Sequence, residues 1–203
     1  MNKNLVKQAV VFILLVIAVR LNATAATADT LQNAQADTTR IRVDDSGRTY
    51  PALPPSAKRL FYLQRSTNVN ALVYDLNINE ETGKPDEDAP VHAYWLRYAD
   101  GNGEPAELTY VQRKFAYGIS ANAAGDDKYD IRIMSYKKFP LTLMKAADGK
   151  YHIFAIVSKR QVILQNIFVQ INGGSLWSPN IIFVEMKGTD TVTGKEVTER
   201  FKP

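Results

Sequence analysis

The chain has 203 residues, with 45% hydrophobic and 23% charged residues, a formal charge of +4 and no cysteine. That balance is globular rather than disordered. The missing cysteines exclude disulfides, zinc–thiolate centres, thiol nucleophiles and a lipoprotein anchor. The positive charge is not a nucleic-acid signature: Lys3, Lys7 and Arg20 lie in an acid-free first 28 residues, and beyond them 22 basic residues face 21 acidic ones. A nucleic-acid surface needs concentrated basic charge, whereas here the pairs Arg113-Lys114, Lys137-Lys138 and Lys159-Arg160 are scattered.

Residues 1–28 have the layout of a secretory signal peptide. Lys3 and Lys7 precede an unbroken apolar run from Ala9 to Val19, and small residues follow at Ala23-Thr24-Ala25 and Ala26-Thr27-Ala28. A spanning helix needs about 20 apolar residues, and Arg20 ends this run sooner. The expectation is cleavage after Ala25 or Ala28, a periplasmic or secreted product, and no membrane span afterwards. Residues 29–57 are polar and end in prolines, which predicts a flexible linker.

From residue 58 the pattern becomes short β-type runs divided by turn residues, read as a single β-rich domain over 58–203. Strands are predicted at 59–66, 70–79, 91–98, 129–136, 140–146, 150–158, 161–171, 180–188 and 195–201. In the second, Leu72, Tyr74, Leu76 and Ile78 share one face. Asp148-Gly149 is a strong hairpin signal between two of these strands. Alternation fails in "PAELTYVQRKFAYG", where Leu108, Val111 and Phe115 have helical spacing. Pro105 suits the first helical position and Gly118 the residue past the end, so one helix is predicted at 105–117. A second face of that helix carries Tyr110, Lys114 and Tyr117. The fold class expected is mainly β: an antiparallel β-sandwich or open barrel of about nine strands with one helix near 105–117.

Catalytic constellations are not assembled by this sequence. "DGNGE" begins like a calcium loop, but Pro105 and Val111 stand where that loop needs glycine and glutamate. His92 and His152 each sit within a strand. Acidic pairs (Glu80-Glu81, Asp126-Asp127) and the run from Asp86 to Asp88 lie in loops, unlike carboxylates held at a fixed separation. "NGGSLWSPN" lacks the lysine of a phosphate-binding loop. No metal and no cofactor is called for.

Binding chemistry is better represented. Arg65, Asn68 and Asn70 surround a tight turn, while Gln112, Arg113 and Lys114 lie on the helix and Tyr94, Trp95 and Tyr98 line a strand. Tyr117 and Arg113 stand one helical turn apart. Arg65, Asn68, Arg113 and Tyr117 are therefore the candidate ligand-binding residues, suited to an anionic or carboxylate-bearing ligand.

The segments "LFYLQRSTNVNALVYDLNI", "PVHAYWLRYADG", "ELTYVQRKFAYGI" and "IIFVEMKGTDTVTGKEVTERF" occur in this order. They resemble secreted bacterial proteins of domain-of-unknown-function family 4833, common in the Bacteroidetes. The resemblance spans nearly all of 59–203 and is most specific at "QRKFAYG". It implies an exported single domain and carries no catalytic residues onto the chain. The functional expectation is a non-catalytic module binding a small molecule or an envelope component. The alternative is a periplasmic hydrolase whose site the sequence does not display.

Overall fold

The structure is a computed structural model describing residues 42–44, 47–175 and 178–203. The expected signal peptide and the first part of the linker lie outside the described residues. The strands, in chain order, are β1 (Arg42–Val43), β2 (Thr49–Tyr50), β3 (Arg59–Arg65), β4 (Ala71–Leu76), β5 (Ile78–Asn79) and β6 (Lys84–Pro85). They continue with β7 (Val91–Arg97), β8 (Glu104–Glu107), β9 (Ile119–Gly125), β10 (Lys128–Ile133) and β11 (Leu141–Lys145). The last four are β12 (Tyr151–Val157), β13 (Arg160–Gly174), β14 (Pro179–Asp190) and β15 (Glu196–Phe201). β1–β2 and β5–β6 are separate ribbons, and the other 11 strands share one sheet. The mainly-β expectation holds, with more strands than the nine predicted.

The path β8-β7-β4-β3-β13-β12-β11-β10-β9 curls into a half-barrel, with β14 and β15 hanging from β13. Every pairing is antiparallel except β3 with β13, which run parallel through Tyr62↔Asn166 to Arg65↔Val169. The 15-residue β13 is the spine: β12 and β3 share one edge, and β14 takes the other. Its hairpin with β12 turns through Ser158 (φ 49) and Lys159 (φ 62). That is the primed-turn geometry matching strand twist, built without the usual glycine or asparagine.

Inward faces follow the two-residue period. Tyr129, Ile131 and Ile133 of β10 and Leu141 and Leu143 of β11 enter one core with Phe61, Leu72, Ile153 and Leu164. Phe61 stacks on Tyr74 at 4.2 Å between ring centroids. β3 and β4 do not alternate, because "LFYL" and "ALVY" are covered on both sides.

The outer cover is residues 42–44 and 47–57. Tyr50 is fully buried and meets Phe168 edge-on at 5.8 Å. Leu53 packs with Ala71, Val73 and Leu96, and Tyr98 Oη donates to the Ala52 carbonyl at 3.2 Å. The described part of the expected linker thus lies on the sheet as a strap. Isolated apolar residues among polar ones carry no periodicity, so Tyr50 and Leu53 resemble loop residues in sequence. Burial, reinforced by the Asp44 carboxylate that accepts its hydrogen bond at 2.8 Å, pushes the Tyr50 hydroxyl up to about 12.

The strap is riveted at Arg42, which donates to Glu185 Oε1 at 2.6 Å and Asn166 Oδ1 at 3.2 Å. Arg200 Nε donates to the other Glu185 oxygen. Burial acts to raise the Glu185 pKa, but the hydrogen bonds from Arg200 and Arg42 outweigh it and hold the carboxyl below its ordinary value. With the folded-state pKa depressed, this stability is fully present above the unfolded value of about 4.3 and is lost as pH falls through the folded one. Glu185→Gln is therefore expected to lower unfolding stability by about 1–2 kcal/mol at pH 7, with Arg200 half exposed. Urea titrations should show the gap closing toward pH 3. A gap independent of pH would mean that charge at Glu185 does not hold the strap.

The helix is shorter than predicted. Glu104–Glu107, including Pro105, is strand β8, where proline is tolerated at a sheet edge. Thr109 caps a single turn, α1 (Tyr110–Gln112): its Oγ1 accepts from Gln112 N–H at 3.3 Å, and Gln112 Oε1 accepts from Thr109 N–H at 3.1 Å. Arg113–Tyr117 then widens into a π-turn. That widening rotates the face away from the 3.6-residue expectation. Leu108 is buried, but Val111 and Phe115 are exposed, while Tyr117 turns toward the core.

Candidate functional site

β3 carries Phe61 and Leu63 inward and continues on that face to Arg65, at its end. The parallel register sets Arg65 beside Val169 and Leu63 beside Ile167. Leu63, Ile167 and Val169, with Leu141, Met186 and Phe201, line an apolar cavity of about 120 Å³. Arg65 is not itself a lining residue, but its in-register neighbour Val169 and its strand neighbour Leu63 both are. Ser135 also lines it, and its N–H donates to the Ala116 carbonyl in the π-turn at 2.9 Å.

The Arg65 guanidinium donates through Nη1 to Tyr117 Oη and lies 5.3 Å from the ring centroids of both Trp95 and Tyr117. Trp95 meets Tyr117 edge-on at 5.2 Å, and its Nε1–H points to Gln112 Oε1 at 3.4 Å. The buried Tyr74 hydroxyl donates to the Tyr117 carbonyl at 3.0 Å. Burial drives the Tyr74 pKa well above its ordinary value, with the nearby Tyr117 adding to it, so that donor stays protonated. Arg65 Nε is buried and has no hydrogen-bond partner among the described residues. Among the described residues no carboxylate pairs with Arg65; its recorded partners are the phenol and two rings.

The four sequence-predicted ligand residues are therefore treated unequally. Arg65 and Tyr117 are joined. Asn68 Oδ1 accepts from Asn70 N–H at 3.0 Å and closes its own turn, while Asn70 Oδ1 holds Tyr98 and Ala99 N–H at 2.8 and 2.9 Å. Arg113 donates to Glu107 Oε2 at 3.1 Å, and Glu107 Oε1 meets His92 Nε2 at 2.8 Å. All three side chains of that cluster are about half exposed or more, where water screens such pairs. Trp95, Gln112 and Tyr74 complete the Arg65 environment. The alternation of Phe61, Leu63 and Arg65 on one strand face was the signal available for the cation at a core margin.

Arg113 and His92 border a second cleft, about 410 Å³, also lined by Asn77, Asp88, Val91, Ala93, Ile119 and Ala121. His152 Nε2 lies 3.0 Å from Asp148 Oδ2, a mostly buried pair across the hairpin. Among the described residues no group of three or more His, Cys, Asp or Glu side chains could hold a metal ion, and no helix is long and apolar enough to cross a membrane.

No curated protein and no solved structure matches the chain. Residues 61–200, which begin inside β3 and end inside β15, match the family described as Domain of unknown function (DUF4833), and with well over half of its length covered the chain belongs to that family.

Proposed function

We propose that this protein is an exported, non-catalytic binding module that takes a small anionic ligand with an apolar portion at the margin of the half-barrel. The observation that carries this reading is Arg65, a partly buried cation with no carboxylate partner among the described residues, whose register neighbour Val169 lines an apolar cavity. A guanidinium presents a fixed fork of donors to a carboxylate, and the flanking Trp95 and Tyr117 rings hold that fork in place before the ligand arrives. A dry cavity of about 150 Å³ accepts benzene, so the buried part of the ligand is a short acyl chain or a single ring. The export reading is supported by the n-region, apolar run and small-residue sites of 1–28. N-terminal sequencing of protein from cell fractions checks it, with an intact Met1 in membranes as the contrary result.

A hydrolytic reading would centre on His92 or His152. Their recorded partners are carboxylates, Glu107 and Asp148, and no hydroxyl nucleophile bonds to either among the described residues. Binding is favoured for that reason. Calorimetry with hexanoate and phenylacetate, against hexanol and 2-phenylethanol, tests it. The acids should bind about tenfold tighter than the alcohols. Arg65→Met should erase that preference, and Met186→Trp, which fills the cavity, should weaken all four. Equal affinity for acid and alcohol, or an unchanged preference in Arg65→Met, would overturn the proposal.

A further inference from the structure

Residues 131–147 carry Arg132, Lys137, Lys138 and Lys145 and no acidic residue. Within them, loop 134–140 joins β10 to β11 and is folded by two turns. Tyr136 N–H donates to the Ile133 carbonyl at 3.0 Å, and Phe139 N–H to the Tyr136 carbonyl at 3.3 Å. Both rings of the loop meet Phe201 of β15: Phe139 stacks on it at 6.2 Å between centroids, and Tyr136 lies at 6.5 Å. Lys137 follows Tyr136 in the chain, Lys138 precedes Phe139, and Lys202 follows Phe201. The three lysines therefore stand around one aromatic cluster, and all three are exposed.

Their charge is not neutralised locally. Elsewhere Lys84 pairs with Asp127 and Lys187 with Glu196. Among the described residues no carboxylate pairs with Lys137, Lys138 or Lys202. The acids of the adjoining strands are engaged: Glu185 is held by Arg42 and Arg200, and Glu199 accepts from Ser158 N–H. Like charges grouped without counter-charge leave a positive field over this part of the surface.

The same rings open on apolar surface. Tyr136, Phe139 and Phe201 line the 120 Å³ cavity. The lining residues most open to solvent are Ser135 and Pro203, the chain neighbours of Tyr136 and Lys202. The mouth of the cavity thus lies within the lysine cluster. Ile181 lines the cavity too, and Ile182 beside it is the extra residue of a bulge, skipped between Gln170↔Phe183 and Ile171↔Ile181. A bulge re-aims a side chain, and this one leaves Ile182 43% exposed.

We propose that this rim is a docking surface for an anionic lipid bilayer, with the lysines on the headgroups and Ile182 and the cavity mouth against the acyl boundary. A bilayer supplies both chemistries at once. Its anionic surface attracts lysines held close to it, and its interface takes apolar side chains and amphipathic rings such as Tyr136. A nucleic acid or a soluble polyacid would satisfy the lysines and leave Ile182 and the mouth in water. The docking rests on this rim and not on Arg65, so it goes beyond the ligand reading and stands without it.

Co-sedimentation of the exported protein with lipid vesicles tests the docking. Vesicles of equimolar phosphatidylcholine and phosphatidylglycerol should carry the protein down, and phosphatidylcholine alone should not. Each lysine contributes about fivefold to partitioning, so the triple variant Lys137→Gln/Lys138→Gln/Lys202→Gln should bind about a hundredfold more weakly. All three positions are exposed, so its denaturant midpoint should stay at the wild-type value. Ile182→Ser should weaken binding about fivefold. Lys128→Gln, an exposed lysine at the other end of β10, should bind like wild type. Added salt should remove the lysine contribution, because the screening length falls to about 3 Å at about 1 M. Absence of binding to the anionic vesicles, equal binding to both vesicle types, or a triple variant that binds like wild type would overturn the proposal. So would a loss in Lys128→Gln as large as that of a single rim lysine. Binding to soluble polyglutamate as tight as to vesicles, and indifferent to Ile182→Ser, would assign the rim to an acidic polymer and overturn the bilayer.

Discussion

Gly118→Ala is expected to destabilise the fold by about 2–3 kcal/mol and to disturb the Arg65 site together with it. A Cβ at Gly118 would lie 2.0 Å from the Arg113 carbonyl oxygen and 2.8 Å from its carbon. Both atoms are backbone, so no side-chain rotation relieves the clash and the π-turn itself has to open. The conformation is not the obstacle: φ −64 and ψ 169 at Gly118 is extended backbone open to any residue. Opening the turn displaces Tyr117, which holds Arg65 through its hydroxyl and receives the Tyr74 hydroxyl at its carbonyl. Urea unfolding and hexanoate affinity should therefore fall together. Gly149→Ala is the control, since it has nothing within 4 Å but φ +78, and it should cost about 1 kcal/mol with no effect on binding. A Gly118→Ala protein as stable as wild type would show that the π-turn is not the clamp described.

Tyr50→Ala is expected to have a still larger effect, about 3–5 kcal/mol, because it empties a fully buried ring site outside the sheet. Tyr50→Phe should cost about 1–2 kcal/mol by leaving Asp44 without its hydroxyl donor. In Tyr50→Ala the strap should become the first site of proteolytic cleavage, because the aromatic contact with Phe168 is lost. A loss below about 1 kcal/mol in Tyr50→Ala would mean that the strap of residues 47–57 is not part of the cooperative fold. The family match starts at residue 61, so this strap lies outside the matched span and its contribution is specific to be tested in this chain.

Much of the fold was legible because half-covered strands keep a two-residue period, as in Tyr129, Ile131 and Ile133. The hairpin at Asp148-Gly149 was legible for local reasons, with Gly149 at φ 78. What escaped were features set by partners distant in sequence. Tyr50 is buried by Phe168, more than a hundred residues later. The helix prediction placed Phe115 inward because a 3.6-residue period was assumed, and the π-turn broke that assumption. Arg65 and Tyr117 were named from residue type and proximity in the chain, and the structure brings them into contact. Asn68 and Arg113 were named on the same grounds, but a turn amide and a carboxylate engage them. The cavity beside Arg65 was not legible, since β3, β10, β11, β13, β14 and β15 each contribute to it.

The single parallel pairing has a kinetic consequence. β9 to β12 form successive antiparallel pairs, and β13, β14 and β15 extend them, all through neighbours in sequence. β3, β4 and β7 are likewise local to one another. The two groups meet where Tyr62 to Arg65 align with Asn166 to Val169, across a chain separation of 104 residues. Loop-closure entropy has to be overcome before that contact returns any energy. The half-barrel should then assemble late, from two preformed meanders, on a timescale of about milliseconds to seconds. Until they dock, the edge of β3 and the facing edge of the second half of β13, whose other edge β14 holds, stay unpaired, and that interval is when the chain is most open to aggregation.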